Sequence, residues 1–162
     1  MERTTFILKT GLNEQVIISQ KAALKSKYIQ TMFMSNPQLD VINVNTDLKS
    51  LQIVAQFLEH HEEKDMAEIP KPLKDFQKFA NNISDPWDAQ LVYGISREAA
   101  FSLIRTAQEL QIPSLISLVS SYCAFLINGK SVEEIRSFFE VENDLNDEEK
   151  KQIQRENACL NV

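Results

Sequence analysis

Apolar and polar positions alternate in two short runs at the start of the chain, then switch to a three- and four-residue rhythm. "TTFILK" (residues 4–9), "GLNEQ" and "VIIS" (16–19) read as a β-hairpin around a Gly-containing loop. From Ser19 to Phe33 the spacing of Ala23, Leu24, Tyr28, Ile29, Met32 and Phe33 predicts a helix, ended by Ser35, Asn36 and Pro37. "DVINV" (40–44) is a short strand. Behind a Thr46 cap, Leu48, Leu51, Val54, Phe57 and Leu58 form the apolar stripe of the next helix.

Residues 62–86 break the rhythm with three prolines, mixed charge and weak periodicity. Connections this long inside a compact domain are uncommon. The segment reads as an ordered surface insertion. The other reading is a short partner-docking helix with Leu73, Phe76, Phe79 and Ile83 along one side.

Beyond Trp87 the chain is helical. Ser96 caps a helix carrying Phe101, Leu103, Ile104, Ala107 and Leu110, and Pro113 suits the first turn of another. That second helix, through Leu115, Ile116, Leu118, Val119, Tyr122, Cys123, Phe125, Leu126 and Ile127, is apolar nearly all round, which places it in a core or against a partner. Asn128 and Gly129 close it. Few strands followed by several helices predicts an α+β domain.

The tail divides in two. Ser131 and Glu134 form a capping box for a helix bearing Val132, Ile135, Phe138 and Phe139 on one side. Asn146 caps a second helix, with Asp147, Glu148 and Glu149 near its positive end. Between residues 147 and 157 that helix has one apolar side chain, Ile153. A helix of this length is marginal in water without tertiary support, so the pattern calls for a partner.

Composition narrows the function. A net charge of −6 and a pI near 5.0 disfavour a nucleic-acid surface. No apolar run reaches the ~20 residues of a membrane span. "MERTTFILK" lacks a signal-peptide layout, and two cysteines make no disulfide framework, so cytoplasm and nucleus are the expected compartments. "INGKS" (127–131) imitates the end of a P-loop, but Ala124 stands at the first glycine position. His60 and His61, adjacent on a helix, project apart and make a poor metal pair; they suit the negative end of a helix dipole. Cys123 sits mid-helix among apolar neighbours as a small hydrophobe. The acidic triplet at 147–149 lacks calcium-loop spacing. These readings leave no catalytic residue, no metal site and no cofactor.

Several strings, in order, resemble one family. "INGKSVEEIRSFFEVENDLNDEEKKQIQREN", "FSLIRTAQELQIPSL" after Trp87–Asp88, and "FLEHH" resemble the S-phase kinase-associated adaptor (Skp) family of SCF ubiquitin ligases, with elongin C more distant. The resemblance runs essentially end to end. It implies a BTB/POZ domain over residues 1–128, with 62–86 as an insertion, followed by two helices over 129–162. It implies a noncatalytic adaptor in an obligate hetero-complex, holding an F-box protein through its tail and a cullin through its BTB part. The F-box-facing positions it implies are Val119, Cys123, Ile127, Ile135, Phe138, Phe139, Val141, Leu145, Ile153, Cys159 and Leu160. Cys159 stands where the family carries a tryptophan, and Val132 where it carries a proline. The cullin-facing positions are Gln108 and Glu109, where the family has an asparagine and an aromatic. A carboxylate buried against a partner is unfavourable unless a cation meets it. That departure keeps a second reading in view: a structural subunit that grips an F-box-like helical segment with no cullin.

Overall fold

In a computed structural model, residues 5–158 are described. The chain divides into two compact units, residues 1–128 and 129–162.

The first unit opens with the hairpin. β1 (Thr5–Thr10) and β2 (Gln15–Ser19) pair antiparallel, with Phe6 opposite Ile18 and Leu8 opposite Val16. Alternation decides the faces: Phe6, Leu8 and Thr10 are buried, while Thr5 points out. In the connecting loop Asn13 takes the left-handed backbone (φ 66°), which Asn tolerates, and the Thr10 hydroxyl accepts from the Glu14 amide. β3 (Val41–Val44) joins β1 in parallel, giving the strand order β2-β1-β3.

The single helix expected from Ser19 to Phe33 is instead two. α1 (Gln20–Ala23) is capped by Ser19, and α2 (Lys27–Ser35) is capped by Ser26. The buried Ser26 hydroxyl accepts from the Ile29 amide and donates to the Leu110 carbonyl at 2.5 Å. A serine bonding the backbone competes with the helical ladder, and here it restarts the helix.

α3 (Leu48–His60) buries Leu51, Val54, Phe57 and Leu58, as its stripe predicts. Its cap is Asp47, not Thr46: the Asp47 carboxylate accepts from the Ser50 amide at 2.9 Å. The Thr46 hydroxyl is engaged elsewhere, with Thr106.

The 62–86 insertion contains no α-helix before Pro86. A 3-10 turn spans Phe79–Asn82, and Phe79, Ile83 and Ile69 are buried while Phe76 is exposed. Leu73, Phe76, Phe79 and Ile83 therefore do not share one helical side. Asn82 knits the segment: its side-chain oxygen accepts from the amides of Lys74 (2.7 Å) and Asp75 (2.9 Å), and its nitrogen donates to the Asp75 carbonyl. The Asp75 carboxyl, held low by the Asn81 amide group and the Lys78 and Gln77 backbone N–H groups, completes the knot.

Three helices follow in this unit, two of them with the expected starts at Ser96 and Pro113. α4 (Pro86–Val92) starts at Asp85, α5 (Arg97–Glu109) at Ser96, and α6 (Pro113–Ile127) has its proline in the first turn. Gly129 takes the left-handed backbone (φ 73°) that a β-carbon disfavours. In the second unit, the Ser131–Glu134 capping box begins α7 (Val132–Phe139). α8 (Asp147–Ala158) is started by Asn146, whose side chain accepts from the Glu148 and Glu149 amides while Glu149 accepts from its backbone N–H.

Candidate partner-binding surface

Neither α7 nor α8 buries a side chain among the described residues. Their apolar positions are nevertheless large. Phe139 is 42% exposed, Val141 59% and Ile153 41%, while Ile135, Phe138 and Leu145 are half-covered. Phe138 and Phe139 meet edge to face at 5.1 Å. Each fully covered side chain of this kind contributes about 1.5–3 kcal/mol, so the unit withholds much of its own hydrophobic stabilisation. Local caps, rather than burial, define these two helices. Cys159 and Leu160 lie outside the described residues.

α6 sorts its residues sharply. Leu115, Leu118, Val119, Tyr122 and Cys123 are buried; Ile116 and Ile127 are half-covered, and Ser120 and Ala124 are exposed. Val119 and Cys123, assigned to a partner from the sequence, are therefore core side chains. An all-round apolar helix conceals which side faces inward. Burial also pushes the Cys123 thiol up, away from the reactive thiolate. The outward stripe is Ile116, Ser120, Ala124 and Ile127, at helical spacing. Its sequence signal was the run of small residues on an otherwise large-side-chain helix.

Gln108 and Glu109 lie exposed at the end of α5. Three side chains of that helix, Ser102, Thr106 and Glu109, hold the loop between β3 and α3. Ser102 donates to the Asp47 carboxylate at 2.5 Å. Thr106 donates to the Ser102 carbonyl, so Thr46 is the donor in the Thr46–Thr106 hydroxyl pair. The Glu109 carboxylate accepts from the Asn45 amide at 3.3 Å. Burial raises the Asp47 carboxyl, but the bonds from Ser102 and Ser50 outweigh it and bring it down to about 2.

The two histidines, set apart by helical projection, come together in space. His61 leaves helical geometry as the cap of α3, and ligand atoms of His60, His61 and Asp88 all lie within 4.8 Å of one another. The His61 Nδ1–H donates to the Lys64 carbonyl at 2.9 Å, and Nε2 shares a hydrogen bond with Asp88 Oδ1 at 2.7 Å. His60 Nε2 pairs with Asp85 Oδ2 at 2.8 Å, and its ring stacks on Trp87 with centroids 3.9 Å apart. That pairing, with the Trp87 amide, holds the Asp85 carboxyl low. As bonded here, the cluster is a clasp across the base of the insertion.

The sequence that builds these elements matches known proteins. A family description, "Skp1 family, dimerisation domain", matches residues 113–160, from the start of α6 into the end of the chain. The S-phase kinase-associated protein 1 homolog of Tetrahymena thermophila is 32% identical over 146 residues, covering 90% of this chain and 87% of that protein. The chain belongs to the Skp1 family. Further members are similar over comparable spans. The E3 ubiquitin ligase complex SCF subunit sconC of Arthroderma benhamiae is 32% identical, covering 88% of this chain and 87% of its own. SKP1-like protein 5 of Arabidopsis thaliana is 31% identical, covering 95% of each. The α+β fold, with its three-stranded sheet, agrees with the BTB/POZ architecture expected of a Skp1-family chain. The family's dimerisation segment coincides with the part of the chain that exposes apolar side chains on self-capped helices.

Proposed function

We propose that this chain is a noncatalytic adaptor of an SCF-type ubiquitin ligase, holding an F-box-type helical partner with α6, α7 and α8 and joining it to a cullin through the BTB part. One observation carries the reading: two well-capped helices in the family's dimerisation segment bury nothing themselves while exposing Phe139, Val141 and Ile153. A helical partner laid against such anchors gains affinity from apolar contacts at helical spacing. Ile127, Ile135, Phe138 and Leu145 extend the set. An adaptor of this kind works in the cytoplasm and nucleus.

A second reading has its own observation. The Glu109 carboxylate accepts from the backbone of Asn45 at a position where the family resemblance implies an aromatic facing the cullin. A carboxylate buried there is unfavourable unless a cation meets it. In that reading the chain holds the F-box-type segment as a structural subunit without a cullin. Pull-down of the full chain with a recombinant F-box domain, beside pull-down with a cullin N-terminal domain, separates the two. Capture of both supports the ligase adaptor. Capture of the F-box domain alone supports the structural subunit, and capture of neither overturns both.

A further inference from the structure

A cavity of about 640 Å³ runs between the insertion and α6. One wall is Pro72, Leu73 and Phe76; the other is Ile116, Ser120, Ala124 and Ile127. Two features make it unlike an incidental crevice. The insertion wall is preorganised, because Asn82 and Asp75 fix the backbone that carries Phe76, yet the Phe76 ring is left 42% exposed. A rigidly presented aromatic at an apolar groove loses little entropy on binding. The α6 wall lies within residues 113–160, the segment matched by the family's dimerisation domain, so one side of the groove belongs to the helix that opens that segment. The insertion wall lies outside that segment.

We infer that the insertion is a second arm of the partner interface: Leu73 and Phe76, facing the outer stripe of α6, grip an apolar side chain of the same F-box-type partner. This rests on the function proposed above. Ser120 and Ala124 are small enough to let the partner's backbone approach α6, and Ile116 and Ile127 bound the seat along the helix. Lys71, the charged side chain on the rim, favours a partner segment with a carboxylate beside its apolar anchor.

The test uses the full chain and, as probe, a recombinant F-box domain from an SCF ligase of Tetrahymena thermophila, with affinity read by calorimetry. Phe76→Asp attacks the groove from the insertion, and Ser120→Trp fills it from α6. Phe139→Asp reports on the tail. Each groove variant should raise Kd roughly tenfold, the scale of an interface anchor, with an unchanged melting temperature. Amide exchange over residues 70–78 should slow when the probe is added. Wild-type affinity in both groove variants, with Phe139→Asp impaired, overturns the second arm and leaves the adaptor reading intact. Absence of binding by the unmodified chain overturns both. A self-dimer of the chain that Phe76→Asp dissolves would instead assign the groove to a second copy and overturn the inference.

Discussion

His61 Nε2 lies 2.7 Å from Asp88 Oδ1, and both side chains are buried. The pair joins the end of α3 to the first turn of α4, so it closes the 62–86 insertion at its base. Removing one member of a buried pair leaves the other polar group unmet. Asp88→Ala or His61→Ala should therefore cost about 3 kcal/mol or more, measured by urea unfolding. His60→Ala, at a more exposed pair, should cost under about 1 kcal/mol plus its lost stacking on Trp87. Equal costs for the buried and exposed pairs would show that burial is not what gives the clasp its strength.

Asp47 makes stability depend on acid. Its folded carboxyl is held at about 2, below the ordinary 3.8, so its contribution is complete above pH ~4 and fades as the pH falls toward 2. The group is largely exposed, so solvent screening reduces the effect to about 1 kcal/mol. Asp47→Asn keeps the cap but should flatten the stability profile between pH 5 and 2. Asp47→Ala should also lose about 1 kcal/mol of capping at neutral pH. An unchanged acid limb in Asp47→Asn would remove Asp47 as its source.

Val119 and Cys123 are core residues and should behave so. Val119→Ala should lower stability by about 2 kcal/mol, and Cys123→Ser by about 1–2 kcal/mol from burying a hydroxyl. Once corrected for the unfolded fraction, neither should weaken binding of an F-box domain selectively. A large loss of affinity at unchanged stability would return them to the interface.

The exposed tail should show the reverse. Ile153→Asp and Phe139→Asp should move stability by no more than about 0.5 kcal/mol, as surface changes do, while weakening F-box binding severalfold. Amide exchange over α8 should be fast in the free chain and slow on partner addition. Strong protection of α8 in the free chain would count against a helix completed by its partner.

Glu109 and Gln108 provide a gain-of-function test. The double change Gln108→Asn with Glu109→Tyr restores an uncharged, aromatic pair and should tighten binding to a cullin N-terminal domain by about tenfold. Loss of the Asn45 hydrogen bond, which is exposed, should cost under about 1 kcal/mol. Unaltered cullin affinity would mean that these positions do not face that partner.

Much of the local structure follows from the order of residues alone. The hairpin, the α5 and α6 starts at Ser96 and Pro113, and both tail caps were legible because short-range chemistry makes them: alternation, a hydroxyl at the cap, a carboxylate three residues on. The α+β class and the family resemblance follow from the sequence as well, as does the shortage of self-burying residues between 147 and 157.

Other features were decided by contacts between distant segments. Ser26 splits α1 from α2 because the Leu110 carbonyl, 84 residues away, receives its hydroxyl. Asp47 rather than Thr46 caps α3 because Thr106 takes the threonine. His60 and His61 meet Asp85 and Asp88 because the chain returns to them after the insertion. The same holds for the inward side of α6. A helix apolar all round carries no periodic signal of its orientation, so only packing separates buried Val119 and Cys123 from the outward stripe of Ile116, Ser120, Ala124 and Ile127.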